Sequence, residues 1–302
     1  YLHHMREEYQ SNSSHVEPIN LDEVYGVTKI GPNTYRGNRP LTKPDRRSRG
    51  VYGGNLCGQA VLVAMEASPP EFKPHSFHSY FVKAVRDDEP LTWKVQEVST
   101  GRTFANRSLQ ALQLGNIVFT AEVSLTKKNS ISKTKSAENK PSFLFETPIG
   151  KTFDAYNNAS LPIVSNDLVL LDYRLFPKQL DSDKISYSLK WGNDNQNSWD
   201  MLHVKTDYQF VGLAILSDTL DVGAFLKHLG YESNPKFNAS LDHSVYFHDN
   251  DFDVTKWCTT FIKVSRMGND RALIKGEIYS NNGLHIATIV QERLWITGGA
   301  KL

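Results

Sequence analysis

The stretch LDHSVYFH, residues 241–248, sets an aspartate, two histidines and a serine among β-branched and aromatic residues. Strand alternation puts Asp242, Ser244, Tyr246 and His248 on one face, and His243, Val245 and Phe247 on the other. An aspartate at the start of an apolar run has two readings. It caps a turn, or it is placed for chemistry in a buried cleft. Gln291, within LHIATIVQERL (284–294), shares its strand face with Ile289 and Arg293, which suits an inward position. Arg102 and Arg107 flank Phe104 and carry the planar fork that suits phosphate, although plain strand-surface cations would look the same. His78, His243 and His248 are not spaced with other donors as a metal set, so no metal and no cofactor is expected. Cys57 lies in an apolar helical segment, which predicts a packed, unreactive thiol.

Two helices must lie beside these groups. GGNLCGQAVLVAMEA (53–67) is small and apolar nearly all round and is closed by Pro69-Pro70, so it is expected to be buried. The second runs over 208–231, closes at Gly230, and has an apolar face broken by Asp218 and Asp221. Gly53 and Gly54 at the first helix start let backbone approach closely. They are candidates for N–H donors to a developing oxyanion, or simply for close helix–sheet contact.

The same features recur in each half. HSFHSYF (75–81), Trp93, Gly115 and NIVFTAEVSL (116–125) are answered by LDHSVYF (241–247), Trp257, Gly283 and LHIATIVQERL. His78 and His243 are 165 residues apart, Trp93 and Trp257 164, and Gly115 and Gly283 168. Three anchors at nearly one offset indicate a duplicated domain. One buried helix followed by long alternating strands implies an antiparallel sheet wrapped around that helix. The fold class is therefore α+β: a double hotdog, two fused hotdog domains. The expected divisions are an N-terminal domain (18–125), a linker (126–165) that opens on the polar TKKNSISKTKSAE, a C-terminal domain (166–296) and a tail (297–302).

With 34 basic and 33 acidic residues, the net charge of +1 argues against nucleic acid as the main partner. No apolar run reaches the roughly 18 residues of a membrane span. Two cysteines suggest a reducing compartment. Ala300-Lys301-Leu302 is a conservative variant of the Ser-Lys-Leu peroxisomal address, so an import receptor is an expected partner and the peroxisomal matrix, or else the cytoplasm, the expected location. Tyr1–His4 read as expression remnants ahead of Met5.

GGNLCGQA (53–60), HSFHSYF, GRTFANR (101–107), LDHSVYFH, KGEIYSNNGLHIATIVQE (275–292) and the final Ala-Lys-Leu together resemble the type II acyl-CoA thioesterases, over roughly residues 18–296. The resemblance implies hydrolysis of fatty acyl-CoA to free acid and CoA. It also implies an aspartate, a hydroxyl residue and a glutamine holding the attacking water. Carried over by position, these are Asp242, Ser265 in KVSRMG and Gln291. A homo-oligomer is a further expectation of the resemblance. Three other readings compete. An α/β-hydrolase is excluded because no Gly-x-Ser-x-Gly occurs. A hotdog enoyl-CoA hydratase would use an aspartate–histidine pair in the cleft, and a non-catalytic acyl-CoA carrier would need the pocket without the polar trio.

Overall fold

The computed structural model describes residues 19–130, 162–175, 182–192, 204–232 and 234–298. Tyr1–His4, most of the expected linker and Ala300–Leu302 lie outside the described residues. In chain order the helices are α1 (Leu21–Val24), α2 (Gly53–Glu66), α3 (Thr206–Ser217) and α4 (Val222–His228). The strands are β1 (Val27–Gly31), β2 (Thr34–Gly37), β3 (Lys73–Phe81), β4 (Thr92–Thr100), β5 (Phe104–Gln113), β6 (Asn116–Thr126), β7 (Val164–Asn166) and β8 (Leu171–Leu175). They continue with β9 (Ile185–Trp191), β10 (Phe237–Ser240), β11 (Asp242–Phe247), β12 (Cys258–Gly268), β13 (Arg271–Tyr279) and β14 (His285–Ile296).

All described strands join one antiparallel sheet of 14 strands, in the order β1-β2-β4-β5-β6-β3-β11-β14-β13-β12-β9-β8-β7, with β10 also on β14. Outward from the β3–β11 seam, the first half runs β3, β6, β5, β4 and the second β11, β14, β13, β12. That is the duplication expected from the sequence, folded about a seam where Ser79 faces His243 and His78 faces Ser244. Alternation explains the strands locally: β5 exposes and buries successive residues along most of its length, and β11 buries His243, Val245 and Phe247. The structure is mixed α+β with few helices, as a double hotdog requires.

The helices fill the inside of this sheet. α2 buries every residue from Gly54 to Met65, and α3 buries Tyr208 and Phe210 to Ser217. They lie antiparallel, with the start of α2 against the end of α3. A Cβ on Gly54 would stand 2.7 Å from the carbonyl oxygen of Ile215, so only glycine permits this approach. Burial of each large aliphatic side chain here contributes roughly 1.5–3 kcal/mol.

The second helix departs from its expected extent. Instead of one helix over 208–231 there are two, bent by 45° at Asp218–Asp221. The Asp218 and Thr219 amides bond back to Ile215 and Leu216 in a tightened last turn, and the Asp221 side chain caps α4 by accepting from the Ala224 amide at 2.9 Å. The two aspartates that seemed to interrupt an apolar face in fact end one helix and begin the next. Among the described residues no single helix is long and apolar enough to cross a membrane.

Candidate active site

Asp218 leaves the end of α3 beside the first turn of α2. A Cβ on Gly53 would sit 2.6 Å from its Oδ2, so glycine makes room for the carboxylate at that helix start. The positive end of the α2 dipole thus faces a negative group. Gln291, fully buried on β14, donates from Nε2 to Asp218 Oδ1 at 2.7 Å and to His243 Nδ1 at 2.9 Å. With both amide hydrogens committed, the His243 Nδ1 must accept, and its proton resides on Nε2. Nε2 donates to Ser217 Oγ at 2.8 Å, which in turn donates to the Ala214 carbonyl at 2.7 Å. Gln291 Oε1 accepts from Arg293 Nε at 3.1 Å, and Arg293 Nη1 donates to the Leu220 carbonyl at 3.3 Å. Each donor in this chain meets an acceptor, so neither the amide orientation nor the imidazole tautomer is arbitrary. Burial pulls the His243 pKa below the ordinary histidine value. The nearby Arg293 cation adds to this, and the Asp218 and Asp242 charges oppose it.

A cavity of about 580 Å³ opens onto this network. Gly53, Tyr52, Phe81, Asp218, Ser240 and Arg293 line its inner part, and Arg47, Arg49, Lys83 and Lys236 stand at its polar edge. These last four are exposed, and among the described residues none of them has a carboxylate at ion-pair distance.

Of the trio expected from the sequence, the structure places Gln291 in this network and the other two outside it. Asp242 is a backbone cap: its Oδ1 accepts the Glu292 amide at 2.7 Å. The cause is a bulge. Ser240 faces Arg293 and Ser244 faces Val290, so three residues, 241–243, oppose two, 291 and 292. The extra residue opens the ladder, and the Asp242 carboxylate fills the vacated acceptor position. Of the two readings of Asp242, local capping is the one observed. Past the bulge, the buried face belongs to His243, and Asp242 turns away from the core. Ser265 is exposed at the bulge in β12. Two strand spacings separate it from Gln291, since Val264 faces Ile274 and Ile274 faces Gln291. The polar groups at the site that the sequence does not assign to it are Asp218, His243 and Ser240. Asp218 did leave a signal, as an acid closing an otherwise apolar helix.

Gly53 and Gly54 begin α2, Gly53 lines the cavity, and the Tyr52 side chain does not cap that turn. Arg107 is not available to phosphate. It is 1% exposed, and its guanidinium donates to the carbonyls of Ala67, Ser99 and Asn106 and to Thr100 Oγ1. It closes the carboxyl end of α2. Arg102 is exposed and does not line the cavity. Cys57 is wholly buried, and burial raises its thiol pKa well above the ordinary value. Among the described residues, no cluster of histidine, cysteine and carboxylate side chains could hold a metal ion.

Residues 43–126 match the sequence model of the acyl-CoA thioesterase N-terminal domain, and residues 199–294 match that of acyl-CoA thioesterase. The chain is 24% identical over 306 residues to acyl-coenzyme A thioesterase 8 of Mus musculus, covering 93% of this chain and 90% of that protein. It is 23% identical over 349 residues to the peroxisomal acyl-coenzyme A thioester hydrolase 1 of Saccharomyces cerevisiae, covering 96% and 98%. Among solved structures, the acyl-CoA thioesterase II TesB2 of Mycobacterium marinum superposes with a TM-score of 0.69 at 23% identity, covering 93% of this chain and 99% of that one. Two family matches that take in both helices and the strands around them, and full-length relatives of the same kind, agree with the duplicated architecture: the chain belongs to the type II acyl-CoA thioesterases.

Proposed function

We propose that this chain hydrolyses fatty acyl-CoA to a free acid and CoA, with Asp218 as the base. The carrying observation is the 2.7 Å bond from Gln291 to Asp218 Oδ1, which leaves Oδ2 turned to the cavity at the start of α2. Asp218 takes a proton from a water as the water oxygen bonds to the thioester carbonyl carbon. The Ser240 hydroxyl, also lining the cavity, helps orient that water. Negative charge moves to the former carbonyl oxygen, beside the first N–H groups of α2. As the carbon–sulfur bond breaks, Asp218 returns the proton to the leaving thiolate. The apolar inner wall, with Tyr52, Leu56 and Phe81, receives the acyl chain.

The phosphates of CoA fit Arg47, Arg49, Lys83 and Lys236 better than the two arginines singled out by sequence. Basic side chains that form no ion pair among the described residues suit a polyanionic handle. Arg49 also lies over the Phe237 ring at 5.4 Å, which holds it at that edge.

The hydratase reading loses its support because His243 lies behind Gln291, wholly buried and off the cavity wall. Incubation with saturated acyl-CoA tests the proposal. The parent should release free thiol, and Asp218→Asn should bind the same ligand without releasing it. Thiol release at the parent's rate from Asp218→Asn would refute the assignment, and binding without turnover by both proteins would favour a carrier. We further propose the peroxisomal matrix as its compartment, a reading supported by the yeast relative's name. Imaging a fluorescent fusion with and without Ala300–Leu302 tests it: uniform cytoplasmic signal from both proteins would count against it.

A further inference from the structure

Arg293 is 6% exposed and lines the cavity, and among the described residues no carboxylate is within ion-pair distance of it. A cation in such a place is costly unless it has a task, because burial strips its hydration without a counter-charge. Its contacts indicate the task. Nε holds the Gln291 carboxamide by its oxygen, and Nη1 holds the Leu220 carbonyl in the turn that begins with Asp218. One rigid fork therefore holds Gln291 directly and, through the Leu220 carbonyl, the turn that carries Asp218. With Nε bonded to Oε1, the amide presents Nε2 to the carboxylate. Rotated by half a turn, it would set an oxygen against an oxygen. The Leu220 contact does the same for the turn itself, whose Thr219 carbonyl also accepts from the Tyr187 hydroxyl.

We propose that Arg293 is the positioning residue of this site: it acts through Gln291 and the Asp218–Leu220 turn to keep the carboxylate aimed at the attacking water. Two donors at a fixed angle are required, and this separates arginine from lysine. A lysine at 293 reaches one of the two acceptors at a time.

This inference rests on the thioesterase reading, and the parent's own thiol release reports on that reading separately. In Arg293→Met, which keeps much of the volume and loses every donor, kcat should fall roughly 10- to 100-fold with KM unchanged, the size of effect expected from a small misplacement of a reacting group. Arg293→Lys should recover only part of that loss. In Arg293→Ala, millimolar guanidinium should raise kcat while leaving the parent unaffected. An unchanged kcat in the Met and Lys variants, or a raised KM at full kcat, would overturn the proposal, the second by making Arg293 a substrate contact. A readout independent of turnover is the Gln291 side-chain amide, identified by its loss in Gln291→Glu. Its hydrogen exchange should accelerate in Arg293→Lys, and unchanged exchange there would count equally against the proposal.

Discussion

The carboxylate of Asp218 and the amide of Gln291, 73 residues apart in the chain, meet at 2.7 Å between the end of α3 and the middle of β14. The pairing joins a helix end to a strand across the inside of the C-terminal repeat. One oxygen of the carboxylate is spent on Gln291, and the other is left to the cavity.

Asp218→Asn is expected to lose about 10²–10⁴-fold in kcat, the usual worth of a positioned base. Asp242→Asn should behave oppositely. It weakens a charge-assisted bond to one backbone amide and should cost about 1–2 kcal/mol of stability, with turnover kept. Thiol-release assays paired with urea melts separate the two. Loss of turnover in Asp242→Asn with Asp218→Asn active would reverse the assignment.

Arg107→Met should lower stability by about 1–3 kcal/mol, because the buried Ala67 carbonyl loses its donor, together with three part-buried acceptors on Ser99, Thr100 and Asn106. The KM for acyl-CoA should be unaffected. A raised KM at unchanged thermal midpoint would return Arg107 to the role of phosphate contact.

Acid should destabilise the fold through histidines that are buried neutral. Burial, with the neighbouring His285, holds His248 at about 4, and His243 is also lowered. A folded pKa below the unfolded value of about 6.5 means that the unfolded chain binds more protons in that window. The stabilisation is therefore complete above about pH 6.5 and is lost as pH falls toward 4. Urea midpoints across this range should decline, and His248→Gln should decline less steeply. An equal decline in both proteins would remove His248 from the account.

Gly53→Ala and Gly54→Ala should fail in different ways. The first puts a methyl group 2.6 Å from Asp218 Oδ2 and should cut turnover with modest loss of stability. The second presses on the Ile215 carbonyl at 2.7 Å, which forces α2 and α3 apart, and its main effect should appear as a lowered thermal midpoint. Matching effects from the two substitutions would argue against separate roles.

The duplication, the buried helices and the alternating strands were legible because each rests on local periodicity repeated twice. His78 and His243 do mark equivalent strands, and those strands form the seam. Gln291 was legible from its face on β14. Asp242 misled because alternation gives the two faces of a strand without saying which is inside, and because it lies within the bulge at 241–243, where the count resets. Ser265 rested on position alone, and the sheet places it two strands away from Gln291. Asp218 was visible as a polar break in an apolar helix. Its partner is long-range, and nothing local to LSDTL (216–220) announces a glutamine on a distant strand.

Antiparallel α2 and α3 create two junctions where one helix begins beside the other's end. At one, Gly53 leaves a hollow and Asp218 stands in it; at the other, the Arg107 guanidinium donates to the Ala67 carbonyl at the end of α2. The two junctions are therefore unlike: one opens on the cavity with a carboxylate in it, and the other carries a cation bonded to backbone. The stoichiometry that follows is a single ligand per polypeptide, so calorimetric titration with a non-hydrolysable acyl-CoA analogue should saturate at unity rather than at two.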